Sequence, residues 1–343
     1  MQKVVLIGAT GFLGKFLLNA IEKQFEDITV VARSPEKVII PKNIQLIQGD
    51  VTEPETLVKA LKGANVVFHA AAMVSSWPQN PVFHRQVNVE GVLNVLRATE
   101  TAGVDKVVYT SSFFAIGETE KEPAGEEWDV SPTFAHPYIM TKYEAEKEVL
   151  AFGAAHGLEI VIVNPTAIVG PEMGEMNPIY NALVDYMNRR LPGLPGGGKC
   201  LWNFVTPEAV AEGHLLAAER GKPLQRYILG GENLELGEFF GIFGEPFGFK
   251  RPRRVPTFLV HQYARAIQTI AKMRKRHPKL TVADFKVTTR NWCYSSELAQ
   301  KELGYQPSSI IEIVKPTLQW LLDSGCLREK VARKVRPFLN SAL

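Results

Sequence analysis

Through its first 170 residues the chain alternates short Val/Ile-rich runs with helix-length segments, and this alternation narrows its fold more sharply than any other feature. Strands are expected over residues 4–7, 28–32, 44–47, 66–69, 106–110 and 159–163. Helices are expected over residues 12–23, 53–61, 83–102 and 138–156; Gly63, Gly103 and Gly157 lie where C-caps belong. Strands that are apolar at consecutive positions must be covered on both faces, and the intervening helices supply the cover. The expectation is an α/β protein with a Rossmann-type doubly wound parallel sheet. Past residue 170 the alternation fails, and the Pro/Gly-rich stretch 191–198 separates two helical segments. Residues 227–229 have the pattern of a further sheet strand, so the chain is expected to return to the first domain. That divides it into a nucleotide-binding domain, 1–170 plus about 200–230, and a smaller discontinuous substrate-binding lobe with C-terminal helices, about 171–199 and 231–343.

Composition excludes several classes. Among 343 residues, 45% are hydrophobic and 22% charged, which suits a globular chain and not a disordered, collagenous or coiled-coil one. No run of 18 apolar residues suggests a spanning helix. The N-terminus opens directly on an apolar run, without a charged leader or cleavage site, so no secretory signal is expected. Cys200, Cys293 and Cys326 are widely spaced, without metal-like pairing; they suit reduced thiols in the cytoplasm, and no metal site is expected. The net charge of +3 hides an asymmetry, since residues 246–343 carry 19 Lys and Arg against 6 Asp and Glu.

The first strand runs into Gly8-Ala9-Thr10-Gly11-Phe12-Leu13-Gly14, and a helix follows. Gly8 allows a tight turn, Gly11 lets backbone approach a diphosphate, and Gly14 lets the helix pack on the strand. Thr10, Phe12 and Leu13 stand where the free N–H groups of the helix start face an anion. The second strand ends Val30-Val31-Ala32-Arg33-Ser34, with Lys37 nearby. An NAD-preferring enzyme places a carboxylate there for the ribose 2′-hydroxyl; Arg33 instead suits a 2′-phosphate, which favours NADP, with NAD as the alternative. Asp50, beside Val51 after the third strand, is a candidate acceptor for an adenine amino group or, equally, a turn residue. Ala70, Ala71 and Ala72 end the fourth strand with small side chains, where a dinucleotide must pass closely, and His69 reads as a structural residue.

Tyr138 and Lys142, four apart at the head of a helix, share one face. A neighbouring ammonium favours the phenolate, which would make Tyr138 a proton donor and acceptor near neutrality. Ser112, at the carboxyl end of the fifth strand, faces the crevice of such a sheet and can donate to a carbonyl oxygen. Asn88 lies where it could hold backbone or water near the lysine.

Taken together, Gly8-x-x-Gly11-x-x-Gly14, Asp50-Val51, His69-x-Ala71-Ala72, Asn88-x-x-Gly91, Tyr109-Thr110-Ser111-Ser112, Tyr138-x-x-x-Lys142 and Asn164-Pro165-Thr166 resemble an extended short-chain dehydrogenase/reductase of the NAD-dependent epimerase/dehydratase family. The resemblance spans essentially the whole chain. It is strongest toward the dihydroflavonol-4-reductase-like and 3β-hydroxysteroid-dehydrogenase-like branch. It implies that Tyr138 is the general acid/base, that Lys142 holds the nicotinamide ribose and lowers the tyrosine pKa, and that Ser112 orients the carbonyl. It also implies that Pro165 and Thr166 lie beside the nicotinamide, and that a homodimer forms through the helices over 83–102 and 138–156.

The expected function is NADP-dependent hydride transfer to or from a hydrophobic carbonyl or alcohol, with a nucleotide-sugar 4-epimerase holding NAD, or a non-catalytic NADP-binding sensor or scaffold, as alternatives. The apolar character of Met73, Trp77, Phe113, Phe114, Met173 and Tyr180, with Val74 and Met176, makes them candidate pocket residues, or else ordinary core. Phe113 and Phe114 stand where a sugar-nucleotide dehydratase of the family carries acidic residues. The basic quarter contains two amphipathic segments, 258–270 and 327–338, which suit helices packed on the core with solvated charges. Peripheral contact with an anionic membrane is the alternative reading, and nucleic acid is not expected.

Overall fold

The computed structural model describes residues 2–340, apart from 38–39, 42, 76, 78–80, 175–176, 275–277 and 279. In the first half, β1 (Lys3–Ile7), α1 (Phe12–Ile21), β2 (Asp27–Ala32), β3 (Gln45–Gln48), α2 (Pro54–Leu61), β4 (Val66–His69), α3 (Pro81–Arg85), α4 (Gly91–Ala102), β5 (Lys106–Thr110), α5 (Pro137–His156) and β6 (Glu159–Pro165) follow the expected alternation. The remainder comprises β7 (Ala167–Ile168), α6 (Pro178–Met187), β8 (Leu194–Pro195), β9 (Leu201–Val205), α7 (Pro207–Arg220), β10 (Arg226–Leu229), β11 (Glu232–Glu235), α8 (Leu236–Gly244), β12 (Arg254–Val255), α9 (Thr257–Met273), α10 (Val282–Thr288), α11 (Glu297–Leu303), α12 (Ile311–Asp323) and α13 (Glu329–Asn340).

Seven parallel strands form one sheet in the order β10-β6-β5-β4-β1-β2-β3. Neighbouring residues of one strand bury opposite faces. Val4 and Leu6 pack with Leu17, Val210 and Leu215, whereas Val5 and Ile7 pack with Leu57, Val92 and Leu96. This is why the strands read as unbroken apolar runs. The strand order reverses between β1 and β4, whose ends pair Ile7 with His69. A ligand crevice opens at such a switch point, beyond the carboxyl ends of the strands.

The C-terminal lobe gathers on a three-stranded sheet, β11-β9-β7, and a short β12-β8 ladder. An aromatic core including Trp202, Phe239, Phe240, Phe243 and Trp292 fills it. Two boundaries differ from the sequence expectation. β9 belongs to the small sheet, whereas α11 returns to the large one, burying Ala299, Leu303 and Tyr305 with Tyr227 and Leu215. The two basic amphipathic segments also part ways. α13 buries Val331, Ala332 and Val335, but α9 buries only Ala264 and Ala271 among its described residues.

Candidate active site

The glycine turn is built for backbone approach. Gly8 has φ +106°, and a Cβ there would lie 2.5 Å from the Ala71 nitrogen. At Gly14 a Cβ would lie 2.0 Å from the Gly8 carbonyl oxygen, so the helix packs directly on the turn. Gly11 is exposed and caps α1 without a side-chain hydrogen bond, and no acidic residue occupies the first turn. The N–H groups of Phe12 and Leu13 therefore open beside Thr10 toward the crevice, as an anion requires. Ala70 and Ala71 stand directly against Gly8, with Ala72 next along the chain. These features fit the diphosphate of a dinucleotide.

Around the adenosine end the picture is mixed. Arg33 is exposed just past β2 and makes no ion pair among the described residues. The side chain of Lys37 lies outside what is described. Asp50 uses Oδ1 to accept from the Thr52 backbone N–H (2.9 Å) and the Thr52 hydroxyl (2.8 Å), the turn role weighed for it from sequence. Val51 is buried, touching the place where a Gly91 Cβ would be.

On the opposite side of the switch point stand Tyr138, Lys142 and Ser112. α5 begins at Pro137, with His136 as N-cap accepting from the Ile139 N–H at 3.4 Å, which sets Tyr138 in the first turn. Lys142 is buried and donates to the Thr110 carbonyl at 2.7 Å, with its ammonium 5.2 Å from the centre of the Tyr109 ring. Burial pulls Lys142 down to about 8, against the opposing charge of Glu146. Burial pushes the Tyr138 phenol up to about 12, and a hydrogen bond with Ser112 opposes the rise. The phenol is therefore not lowered, as the resemblance implied: desolvation of the hydroxyl dominates, while the lysine is committed to the Thr110 carbonyl. Ser112 is buried and accepts from the Phe114 N–H at 3.3 Å, which fixes its hydroxyl at the head of a 3₁₀ turn.

A family model described as the NAD dependent epimerase/dehydratase family matches residues 4–230. The chain belongs to this family. Among similar proteins is one from Synechocystis, provisionally named a dihydroflavonol 4-reductase, 29% identical over 94% of this chain and 95% of its own. Another is the human short-chain dehydrogenase/reductase family 42E member 1, 29% identical over 100% of this chain and 93% of its own. Among solved structures, gox2253 superposes with a TM-score of 0.82 at 32% identity, covering 96% of this chain and 100% of that one. The extended short-chain dehydrogenase/reductase assignment holds, and with it a nicotinamide cofactor and an oxidoreductase chemistry on a small molecule.

Within this family member, Asn88 acts through other residues. It sits in a π-helical turn, Gln86–Glu90, between α3 and α4, an insertion that turns its amide inward. Its Oδ1 accepts from the Met73 N–H (2.7 Å), and its Nδ2 donates to the Met73 carbonyl (3.0 Å) and the Thr141 hydroxyl (2.9 Å). Asn88 thus ties the loop after β4 to α5 beside Lys142. Pro165 ends β6, and the Thr166 hydroxyl is buried without a hydrogen-bond partner among the described residues.

The candidate pocket residues divide. Phe114 is half-buried, with its ring 6.0 Å from that of Tyr138 and edge-on to it. Met73 and Trp77 lie half-buried on the loop after β4, and Val74 is exposed there. Phe113, Met173 and Tyr180 are corrections: all three are core. Phe113 packs edge-on against Trp292 and Tyr294, Met173 is fully buried, and Tyr180 meets Cys326 at 3.2 Å. The 3₁₀ turn after Ser112 sets the two adjacent rings 4.0 Å apart, Phe113 the more deeply buried and Phe114 the one against Tyr138. Met176 lies outside the described residues.

Three supporting groups escaped the sequence reading. Glu146, one turn beyond Lys142, accepts from Asn164 Nδ2 at 2.6 Å and pairs with Arg226 at 3.2 Å. Asn164 also donates to the Ser112 carbonyl at 3.0 Å, so one buried network reaches both Ser112 and Lys142. His214 on α7 is 2.8 Å from the Thr110 hydroxyl through Nε2 and 2.7 Å from the Val210 carbonyl through Nδ1. The spacing Tyr138, Lys142, Glu146 was a visible signal for the first of these; Arg226 and His214 had none.

The buried histidines make folding pH-dependent. Burial lowers His214 from 6.5 to about 4 and His69 from 6.5 to about 3. In the unfolded chain both accept protons below 6.5, whereas the native chain holds them neutral. Stability is therefore full above pH 6.5 and falls as pH drops from 6.5 through about 4 and then about 3. The expected loss by pH 5 is about 2 kcal/mol per histidine. Urea midpoints at pH 7 and pH 5 measure it, and equal midpoints would contradict neutral burial.

Proposed function

We propose that the protein is an NADP-dependent ketone reductase, or the reverse alcohol dehydrogenase, acting on a hydrophobic carbonyl or alcohol. The observation that carries this reading is the hydroxyl of the half-buried Tyr138 beside the buried Ser112, backed by Lys142 and faced by the Phe114 ring. At neutral pH the phenol holds its proton and the lysine is cationic, the states that an acid donating to a carbonyl oxygen needs. A bound nicotinamide supplies or accepts the hydride at the carbonyl carbon. Tyr138 Oη gives its proton to the substrate oxygen, and the Ser112 hydroxyl orients that oxygen by hydrogen bonding. Lys142, held by the Thr110 carbonyl, keeps a positive charge beside the phenolate that forms. In oxidation the same groups run in reverse. The Phe114 ring, half-buried beside Tyr138 and backed by Trp292 of the lobe core at 4.9 Å, supports an apolar substrate over a charged sugar nucleotide.

The cofactor preference rests on Arg33. The end of β2 carries a guanidinium without an ion pair among the described residues and no carboxylate at positions 32–34. A charge-assisted bond to a 2′-phosphate is worth about 1.5–3 kcal/mol, or about ten- to a hundredfold in affinity. Arg33→Glu is expected to weaken NADPH by that factor while leaving NADH within about twofold. Fluorescence titration of both nucleotides, followed by a panel of long-chain and polycyclic ketones, tests the proposal. Equal affinity of the unaltered protein for the two nucleotides would remove the NADP assignment. Co-purification of a tightly held NAD with UDP-sugar binding would replace the reductase by an epimerase.

A further inference from the structure

α9 presents an apolar stripe that nothing in the described chain covers. Leu259, Tyr263, Ala266, Ile270 and Met273 recur at spacings of four, three, four and three, which places them on one face of the helix. Leu259, Tyr263, Ile270 and Met273, with Phe258 at the helix start, are between 44% and 73% exposed. The opposite face carries the two buried alanines, Ala264 and Ala271, and packs on α10. There the His261 ring lies 5.4 Å from Phe285, and Gln268 Oε1 accepts from the Val282 N–H at 3.0 Å. The helix is therefore anchored by one face, with its more apolar face turned outward.

The charges around the stripe have one sign. α9 contains no Asp or Glu. Arg265 and Lys272, seven apart, share one flank; Arg274 lies near the other, and Arg253 and Arg254 lead into the helix. All five are exposed and make no ion pair among the described residues. A second copy laid against this stripe would set cation against cation with no acidic residue on the facing helix to answer it. A bilayer carrying anionic headgroups answers both features at once, because the stripe enters the acyl boundary while the long basic stems reach back to phosphate.

We propose that α9 is an interfacial docking helix that seats the protein on an anionic lipid bilayer. The position of the helix gives this a consequence for access to the site. α10, on which α9 packs, sets Asp284 3.5 Å from His136, and His136 is the N-cap of α5, two residues before Tyr138. The membrane-facing surface is thus joined through two packed side-chain layers to the first turn of the catalytic helix. The inference stands on the exposure and charge of α9 and does not require the reductase reading.

Flotation of the full chain with vesicles tests it. At low salt the protein is expected to float with phosphatidylcholine–phosphatidylglycerol vesicles and not with phosphatidylcholine alone, and to be released by added salt. Arg265→Glu with Lys272→Glu should weaken binding about fivefold or more for each cation removed. Ile270→Glu with Met273→Glu should abolish it, leaving the thermal transition unchanged because both side chains are exposed. Failure to float with anionic vesicles overturns the proposal, as does flotation that survives both double variants. So does a dimer, seen by light scattering without vesicle binding, that Ile270→Glu with Met273→Glu splits; the stripe would then belong to a second copy.

Discussion

Tyr138→Phe is expected to lower turnover about a thousandfold while nucleotide affinity stays within about twofold. The substitution removes one hydroxyl and keeps the ring that lies edge-on to Phe114, so the fold has little reason to change. What disappears is the hydroxyl that the proposed mechanism uses as proton donor. Ser112 still orients the substrate oxygen, which is why binding survives and chemistry does not. A thousandfold loss corresponds to about 4 kcal/mol of transition-state stabilisation, within the range for a lost general acid. The check is kcat in both directions beside a nucleotide titration of the same preparation. A variant that keeps a tenth of its activity would show that Tyr138 is not the acid.

Glu146→Ala is expected to cost about 3–5 kcal/mol of folding stability, the range for breaking a buried pair by removing one partner. Glu146 is 2% exposed and is the anion between the buried Lys142 and the half-buried Arg226. Its removal strands both charges and frees the Asn164 amide that holds the Ser112 carbonyl. Glu146→Gln separates charge from packing, since the amide fills the same space and can still accept from Asn164. The sign of its effect on chemistry follows from Lys142. Burial already lowers that ammonium from 10.5 to about 8, with Glu146 raising it. Without the carboxylate the lysine sheds its proton at still lower pH. The alkaline fall of carbonyl reduction should move to lower pH in Glu146→Gln, at nearly normal stability. Urea denaturation of the alanine variant and a pH profile of the glutamine variant are the two measurements. An alanine variant within 1 kcal/mol of the unaltered chain, or an unmoved profile, would leave Glu146 without this role.

The phosphate turn and the Tyr138–Lys142 pair were legible because their geometry is local. Gly8, Gly11 and Gly14 act over seven residues, and a helix places positions four apart on one face whatever surrounds it. The strands were legible because burial on both faces leaves unbroken apolar runs. The adjacent Phe113 and Phe114 could not be separated in the same way. A 3₁₀ turn capped by the Ser112 hydroxyl decides that one enters the lobe core and the other faces Tyr138. The direction of the Tyr138 pKa was also beyond reach, because spacing suggests a nearby cation but not how deeply the hydroxyl is buried.

The two basic helices make the same point at larger scale. In sequence, the segments over 258–270 and 327–338 have similar apolar periodicity, the first followed by a run of cations from Lys272 to Arg276 and the second carrying five cations within it. α13 closes its stripe against the lobe, and α9 leaves its stripe in solvent. By itself, then, the sequence determined the sheet, the glycine turn and the shared helix face of Tyr138 and Lys142, since each depends on residues within a few positions of one another. Only the tertiary structure decided which aromatic lies against Tyr138, which carboxylate steadies the lysine and which apolar face stays uncovered among the described residues. Those outcomes depend on burial and on partners from distant strands and helices, such as Arg226, 80 residues from Glu146.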